Sequence, residues 1–339
     1  MSHARIGMGL LFLKHRVAGG SAAFSMQVSF FCCAQGFLRS CVPHKDRIES
    51  PQFFRRWNMK SFLLADIGNT SIKLAFGNGQ GLGRAYSLPT RVQHTADSLG
   101  LSLLQILSAE GLSPDELLGC AVCSVVPDVC SLFARACVRY LRQSALLFPA
   151  DLPQILKNGY SQPHEVGADR LLAACAARML FPAPASIISV DYGTATTFDC
   201  VAGDTYLGGL ICPGLFSSRN ALAANTAKLP RISLEVSGTE AVIGRDTETS
   251  MSHGFLFGFA ALTEGLCHRL ARQLPPPVFV VGTGGDALSL SKICGAFDAV
   301  RPDLLLEGLL MLCLGGRDGS FAAYSFTREC PGTSKEFSS

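Results

Sequence analysis

One pattern occurs twice in this chain, with its leading aspartates 125 residues apart. The first copy runs Phe62, Leu63, Leu64, Ala65, Asp66, Ile67, Gly68, Asn69, Thr70, Ser71, Ile72, Lys73 and on to Phe76. The second runs Ile187, Ile188, Ser189, Val190, Asp191, Tyr192, Gly193, Thr194, Ala195, Thr196, Thr197, Phe198 and Asp199. Each is an apolar run ending in Asp, a glycine turn with hydroxyl residues and then an alternating strand, which predicts a β-hairpin with a polar tip. An Asp at a strand end can hold Mg2+ directly or through water, and Gly lets the backbone approach phosphate oxygens without a side-chain clash. Asp-x-Gly alone also makes ordinary turns. The repetition is what points to a pair of phosphate-handling loops.

Composition limits what can surround the pair. Hydrophobic residues make up 48% and charged residues 16% of 339, which suits a compact protein with room for two ordinary domains. The longest apolar runs, 186–190 and 304–314, are too short or too interrupted to cross a bilayer, so they read as core. Residues 1–58 hold eight Lys/Arg against two acidic residues, a net +6, so the other 281 carry a net −3. The main body is therefore no nucleic-acid binder by charge, and no membrane partner is expected either. The fourteen cysteines are scattered, and Cys120-x-x-Cys123 has no second pair at zinc-site spacing. It lies in an apolar stretch, so buried reduced thiols in a cytoplasmic setting are expected. Residues 1–58 show no sustained periodicity, whereas Met59, Lys60 and Ser61 lead straight into the first strand. This reading makes Met59 the natural start, 1–58 a non-native or disordered extension, and 317–339 a polar tail.

Between the hairpins lie Tyr160 and a Gly167-Ala168-Asp169-Arg170 segment that opens an apolar helix. Other motifs follow in order: Ser124 to Pro127, Gly208-Gly209 with Pro213-Gly214, Leu229-Pro230, Gly244 to Thr247, Gly282 to Gly285, and Leu306 to Leu309. With these motifs the chain, from Met59 to about Gly316, resembles the type III pantothenate kinases, within the superfamily of sugar kinases, actin and heat-shock chaperone ATPases. The resemblance implies an α/β fold of two ribonuclease-H-like, actin-like ATPase domains, 59–177 and 178–316, facing each other across a nucleotide cleft. Helices over 168–180 and 254–274 would pack on mixed sheets, the second stopped by Pro275, Pro276 and Pro277. A strand over 278–281 and the glycine-rich turn after it would form the adenosine loop. The implied activity is ATP-dependent phosphorylation of pantothenate to 4'-phosphopantothenate, the first step of coenzyme A biosynthesis. A homodimer using Mg2+ and a monovalent cation, K+ or NH4+, is implied with it.

Phosphoryl transfer needs in-line positioning, charge neutralisation and a group that accepts the alcohol proton. Asp169, at a helix start, suits the last role, with Arg170 to steer a carboxylate or phosphate. A neighbouring Asp and Arg are more often a plain surface pair, and the resemblance assigns Asp169 as the general base. It also implies substrate contacts from Tyr160, Gly167, Ala168, Asp169 and Arg170. The first ATP-phosphate loop would be Asp66, Ile67, Gly68, Asn69, Thr70, Ser71, Ile72 and Lys73, with Asp66 on the Mg2+ side. The monovalent cation would lie near Asp191, the nucleotide against Thr194, and Thr247 would reach pantothenate from the neighbouring subunit.

Thr247 reads equally as the N-cap of the apolar helix after it, and both readings stand. The surplus of Phe and Leu on that helix fits either a dimer interface or burial within its own domain. Asp246 stands where the family usually has Asn, and His253 where a small residue is usual. His164 reads as a surface or substrate-rim residue. Two other function classes share parts of the pattern. A catalytically silent nucleotide-binding regulator of the same fold would be expected to lose Asp169 first. A kinase for another small alcohol or sugar leaves the Gly167 to Arg170 segment without a purpose.

Overall fold

A computed structural model describes residues 60–226, 229–230, 232–234 and 238–315. The expected extension over 1–58 and tail over 317–339 lie outside these residues. Aliphatic runs broken by glycine turns build the first half. β1 (Ser61–Ile67), β2 (Ser71–Asn78) and β3 (Gly81–Pro89) form an antiparallel meander. α1 (Ala96–Ala109) follows, with Thr95 as its cap: the Thr95 hydroxyl accepts from the Ser98 N–H at 3.0 Å. β4 (Leu117–Ser124) then pairs parallel with β1, and after α2 (Pro127–Ala136), β5 (Ala145–Phe148) pairs parallel with β4. The sheet order is β3-β2-β1-β4-β5.

After β6 (Lys157–Asn158) and α3 (Ala168–Leu180) the chain repeats the plan. β7 (Ser186–Tyr192), β8 (Ala195–Ala202) and β9 (Thr205–Pro213) form a second meander. Then come α4 (Leu215–Ala224), α5 (Thr247–Ala271), β10 (Val278–Gly284), α6 (Ala287–Leu290), β11 (Ala299–Val300) and α7 (Leu304–Gly315). β10 pairs parallel with β7 and β11 with β10, so the order is β11-β10-β7-β8-β9-β6. Without β6 this is the first sheet's order again. A three-strand meander with parallel strands added on the far side of its first strand is the ribonuclease-H-like arrangement, and the chain contains it twice.

Strand alternation decides where the polar residues of the motif point. On β1, Leu63, Ala65 and Ile67 join the core beneath α1 and α2, whereas Phe62 and Leu64 join a central core with α3 and α7. Asp66 shares the parity of Phe62 and Leu64. In the second sheet Ile188, Val190 and Phe198 pack toward α5 and α6, whereas Ile187 and Val201 join the central core. Asp191, Thr197 and Asp199 share that second parity, as Lys73 shares that of Ala75 on β2. One charged residue from each of β1, β2, β7 and β8 is thus delivered to the inner faces of the two sheets.

α3 and α7 fill the space between those faces, which explains why both are apolar almost all round. α3 lies against β7, β8 and β4, and α7 against all of β1 to β4. The helices cross where a Cβ on Gly308 would stand 2.7 Å from the Ala176 Cβ, so only glycine allows this approach. Each buried Leu of α7 contributes about 1.5–3 kcal/mol relative to exposure. The expected division after Ala177 falls inside α3, and α7 crosses back onto the first sheet.

Helix α3 occupies the expected 168–180, and the strand expected over 278–281 extends to Gly284. The last long helix begins earlier than expected. α5 starts at Thr247 rather than 254, because the Asp246 carboxylate caps it, accepting from the Thr249 N–H and the Thr249 hydroxyl, each at 2.8 Å. Thr247 is therefore the first helical residue and not the cap. Cys120 and Cys123 are buried free thiols, as expected from the sequence. Among the described residues, no helix is long and apolar enough to cross a membrane.

Candidate active site

The two hairpin tips meet. The Thr70 hydroxyl lies 2.8 Å from the Thr194 hydroxyl, bridging residues 124 apart in sequence. In the first tip the Gly68 N–H donates to the Ser71 carbonyl at 3.0 Å. The exit of β3 then buttresses it. The Thr90 N–H donates to the Thr70 carbonyl at 3.0 Å, the Thr90 hydroxyl to the Gly68 carbonyl at 2.8 Å, and Arg91 Nε to the Asn69 carbonyl at 3.2 Å. These bonds occupy the tip's carbonyl acceptors, which would repel a phosphate, and favour a surface of donors. The second tip is tighter by one residue: Asp66 pairs with Lys73, but Asp191 pairs with Thr197. It is backed by the start of α4, where the Ser217 hydroxyl donates to the Thr194 carbonyl at 2.7 Å. A Cβ on Gly214 would stand 2.3 Å from the same carbonyl oxygen, so the glycine is what lets α4 sit so close.

Behind the tips is a cleft of about 260 Å3, lined by Asp66, Lys73, Asp169, Arg170, Asp191 and Thr194 together with Gly68, Asn69, Thr70 and Ser71. Three carboxylates share it with Lys73. Burial pushes Asp66 up to about 7; Lys73 pulls the other way, and the nearby Asp191 and Asp169 add to the rise. Asp191 rises to about 6 through burial, again opposed by Lys73 and reinforced by Asp169. Asp169 is also raised by burial, against the pull of the Arg170 N–H and its charge. The cluster therefore holds more negative charge than Lys73 offsets, the condition that favours an arriving cation.

Asp169 is positioned by the first turn of α3. Its Oδ1 accepts from the Arg170 N–H at 2.8 Å, and it fits only because Gly167 lacks a Cβ, which would stand 2.4 Å from that oxygen. Arg170 lines the cleft too, but its partner is not Asp169. Its Nε donates to Asp199 Oδ1 at 2.8 Å and its Nη2 lies 2.7 Å from the same atom. Gly284, at φ +93, brings the glycine-rich turn against Asp191: a Cβ there would stand 2.4 Å from Asp191 Oδ1 and 2.5 Å from the Tyr192 carbonyl oxygen.

Other expected site residues lie elsewhere. The side chains of Ile67 and Ile72 are fully buried in the core beneath α1 and α2. Tyr160 rests against Gly208 and its ring centroid is 6.4 Å from that of Tyr206. Thr247 is exposed at the start of α5. His253 accepts from the Val242 N–H at 3.2 Å and stacks on Phe257.

Residues 62–269 match the family model of the type III pantothenate kinases. The chain belongs to this family. The type III pantothenate kinase of Oleidesulfovibrio alaskensis is 55% identical over 251 residues, which span 74% of this chain and 95% of the relative. That of Nitratidesulfovibrio vulgaris (strain Miyazaki F) is 55% identical over 253 residues, 75% of this chain and 97% of the relative. That of Lawsonia intracellularis is 48% identical over 253 residues, 74% and 94%.

Asp199, Thr197, Tyr206, Ser217 and Thr90 were not among the site residues expected from the sequence. Thr197 and Asp199 carried a signal, since they continue the alternation that Asp191 begins. Tyr206 and Thr90 carried none, because only the strand register brings them to the cleft's supports.

Proposed function

We propose that this chain is an ATP-dependent kinase that phosphorylates pantothenate to 4'-phosphopantothenate, with Asp169 as general base. The observation that carries this reading is the meeting of the two hairpin tips over a cleft that also holds Asp169. The triphosphate would lie along Asp66 to Lys73 and against Thr194, with its terminal phosphoryl group aimed at the pantothenate hydroxyl. Asp169 Oδ2 accepts the hydroxyl proton as the new O–P bond forms, and burial, which raises its proton affinity, suits it to this work. Tyr160, Gly167, Ala168 and Arg170 would border pantothenate, with Arg170 turned to its carboxylate.

Asp66 would hold Mg2+, and Asp191 a monovalent cation, K+ or NH4+. Their oxygen donors suit hard cations, and two carboxylates raised by burial gain from a positive neighbour. Among the described residues no three His, Cys, Asp or Glu side chains form a ready-made metal cage. Mg2+ does not require one, since it keeps water and takes phosphate oxygens as ligands. When bound, it supplies charge neutralisation for the transferring phosphoryl group.

The working unit in this reading is a cytosolic homodimer, in which Thr247 completes the partner's pantothenate pocket. The exposure of Thr247 outside its own chain's cleft supports this, as does the half-buried Phe257 on α5. The free thiols fit a reducing compartment. An ADP-release assay with pantothenate, with and without K+, tests the activity; no pantothenate-dependent ADP formation would overturn it. Mixing Asp169→Asn and Thr247→Ala chains tests the shared pocket. Recovered activity supports it, and none after demonstrated subunit exchange refutes it.

A further inference from the structure

The central polar residue between the sheets is neither a tip residue nor the base. Asp199 is fully buried on β8, two residues beyond the cleft-lining Thr197. Three hydrogen-bond donors converge on its carboxylate, and a fourth nitrogen sits against it as an ion pair. Oδ1 receives Arg170 Nε at 2.8 Å and the Tyr206 hydroxyl at 2.9 Å, and lies 2.7 Å from Arg170 Nη2; Oδ2 receives the Thr197 hydroxyl at 3.1 Å. Arg170 and Thr197 both line the cleft, one from α3 and the other from β8. Asp199 therefore ties a helix residue and a strand residue of the cleft wall to a single fixed point.

A guanidinium carries five N–H groups in a planar fork. Asp199 holds Arg170 through the Nε hydrogen bond and an ion pair to Nη2, and Nη2 is buried with no hydrogen-bond partner, so its N–H groups remain unused in a residue that lines the cleft. Holding one edge of the fork fixes the direction of the other, and less rotamer freedom remains to be lost when a carboxylate arrives. The local backbone is shaped to allow this. Gly209 sits opposite Asp199 on β9, where a Cβ would overlap the Phe198 carbonyl, and at Gly208, with φ +106, a Cβ would stand 3.0 Å from the Tyr160 ring. The Gly208-Gly209 pair thus brings Tyr206 and Tyr160 up beside the Arg170–Asp199 pair.

We infer that Asp199, supported by Tyr206, is a positioning residue for pantothenate: it aims Arg170 and takes no part in the transfer of the phosphoryl group. This rests on the reading that Arg170 contacts the pantothenate carboxylate. It sets apart two layers in the site, with the hairpin tips serving ATP and the Asp199 cluster serving the acceptor.

The test is steady-state kinetics on full-length Asp199→Asn, Tyr206→Phe and Arg170→Met, each checked for folding by thermal melting. Asp199→Asn should raise the pantothenate KM about tenfold or more, the effect of one charge-assisted hydrogen bond, with the ATP KM unchanged. Tyr206→Phe keeps the charge pair and should raise it about threefold, so the inference stays testable if Asp199→Asn does not fold. In the Arg170→Met background, Tyr206→Phe and Asp199→Asn should add nothing further, because a residue acting through Arg170 has no effect once Arg170 is gone. If Arg170→Met leaves the pantothenate KM unchanged, the underlying reading of Arg170 is wrong. If Arg170→Met raises it but folded Tyr206→Phe does not, or if the Tyr206→Phe effect persists in the Arg170→Met background, the positioning role is overturned.

Discussion

Replacing Gly167 by Ala separates the position of the base from its chemistry. The added Cβ would stand 2.4 Å from Asp169 Oδ1, against an ordinary contact of 3.4 Å or more, so the carboxylate must move by about 1 Å. The backbone itself tolerates Ala: Gly167 has φ −58 and ψ 138, a region open to every L residue. The nearest group is the end of a side chain, which can swing away cheaply, so the fold keeps its stability and the strain falls on the base. A displacement of about 1 Å in a positioned catalytic group costs on the order of 100-fold in rate. We expect kcat of Gly167→Ala, at saturating ATP and pantothenate, to fall about 100-fold with the melting temperature within about 2 °C of wild type. Repeating the substitution in the Asp169→Asn background should produce almost no further loss. A Gly167→Ala enzyme that melts normally and retains kcat within about threefold would refute the reasoning. Either Asp169 would not be held where it is needed, or it would not be the base.

Asp169→Asn itself should keep the fold and ATP binding while lowering kcat about 100-fold or more, measured by ADP release and by nucleotide titration. Gly284→Ala places a Cβ on a left-handed residue and against the Asp191 carboxylate, so a loss of about 1–3 kcal/mol is expected in denaturant unfolding, where a midpoint equal to wild type would count against it. Burial raises Asp66 to about 7 and Asp191 to about 6, so between pH 4 and 7 the unfolded chain sheds protons that the folded one retains. Stability should therefore be highest at the acid end of that window and fall as pH rises through it. Melting curves of the ligand-free protein should show this slope, and Asp66→Asn should flatten it; an unchanged slope in the variant would remove Asp66 as its source.

Much of this architecture was legible because it depends on local chemistry. The hairpins announced themselves through Asp, Gly and hydroxyl residues at fixed offsets, and α3 through an apolar run opened by Gly167 and Asp169. The start of α5 was expected at 254, with the apolar run, whereas the Asp246 cap had already committed the polar turns before it. The partner of Arg170 was hidden for a different reason. Asp169 is its neighbour in sequence, but the buried acceptor is 29 residues away, across the packing of α3 on β8. The one-residue difference between the two tips was likewise invisible until strand pairing set Lys73 against Asp66 and Thr197 against Asp191. What the sequence withheld was long-range register, which no window of adjacent residues contains.

The return of α7 to the first sheet has a consequence for how the protein is made. A nascent chain that has left the ribosome only as far as Asp303 has all the strands of both sheets. Yet the inner side of β1 to β4 still lacks its cover, because Leu304, Leu306, Leu309 and Leu310 have not emerged. The first half cannot be completed in order of synthesis, and the earliest strands wait for α7. A premature stop a few codons before Leu304 would spare every residue assigned to the phosphates and to the base, and would still leave a sticky, chaperone-dependent product in place of an enzyme.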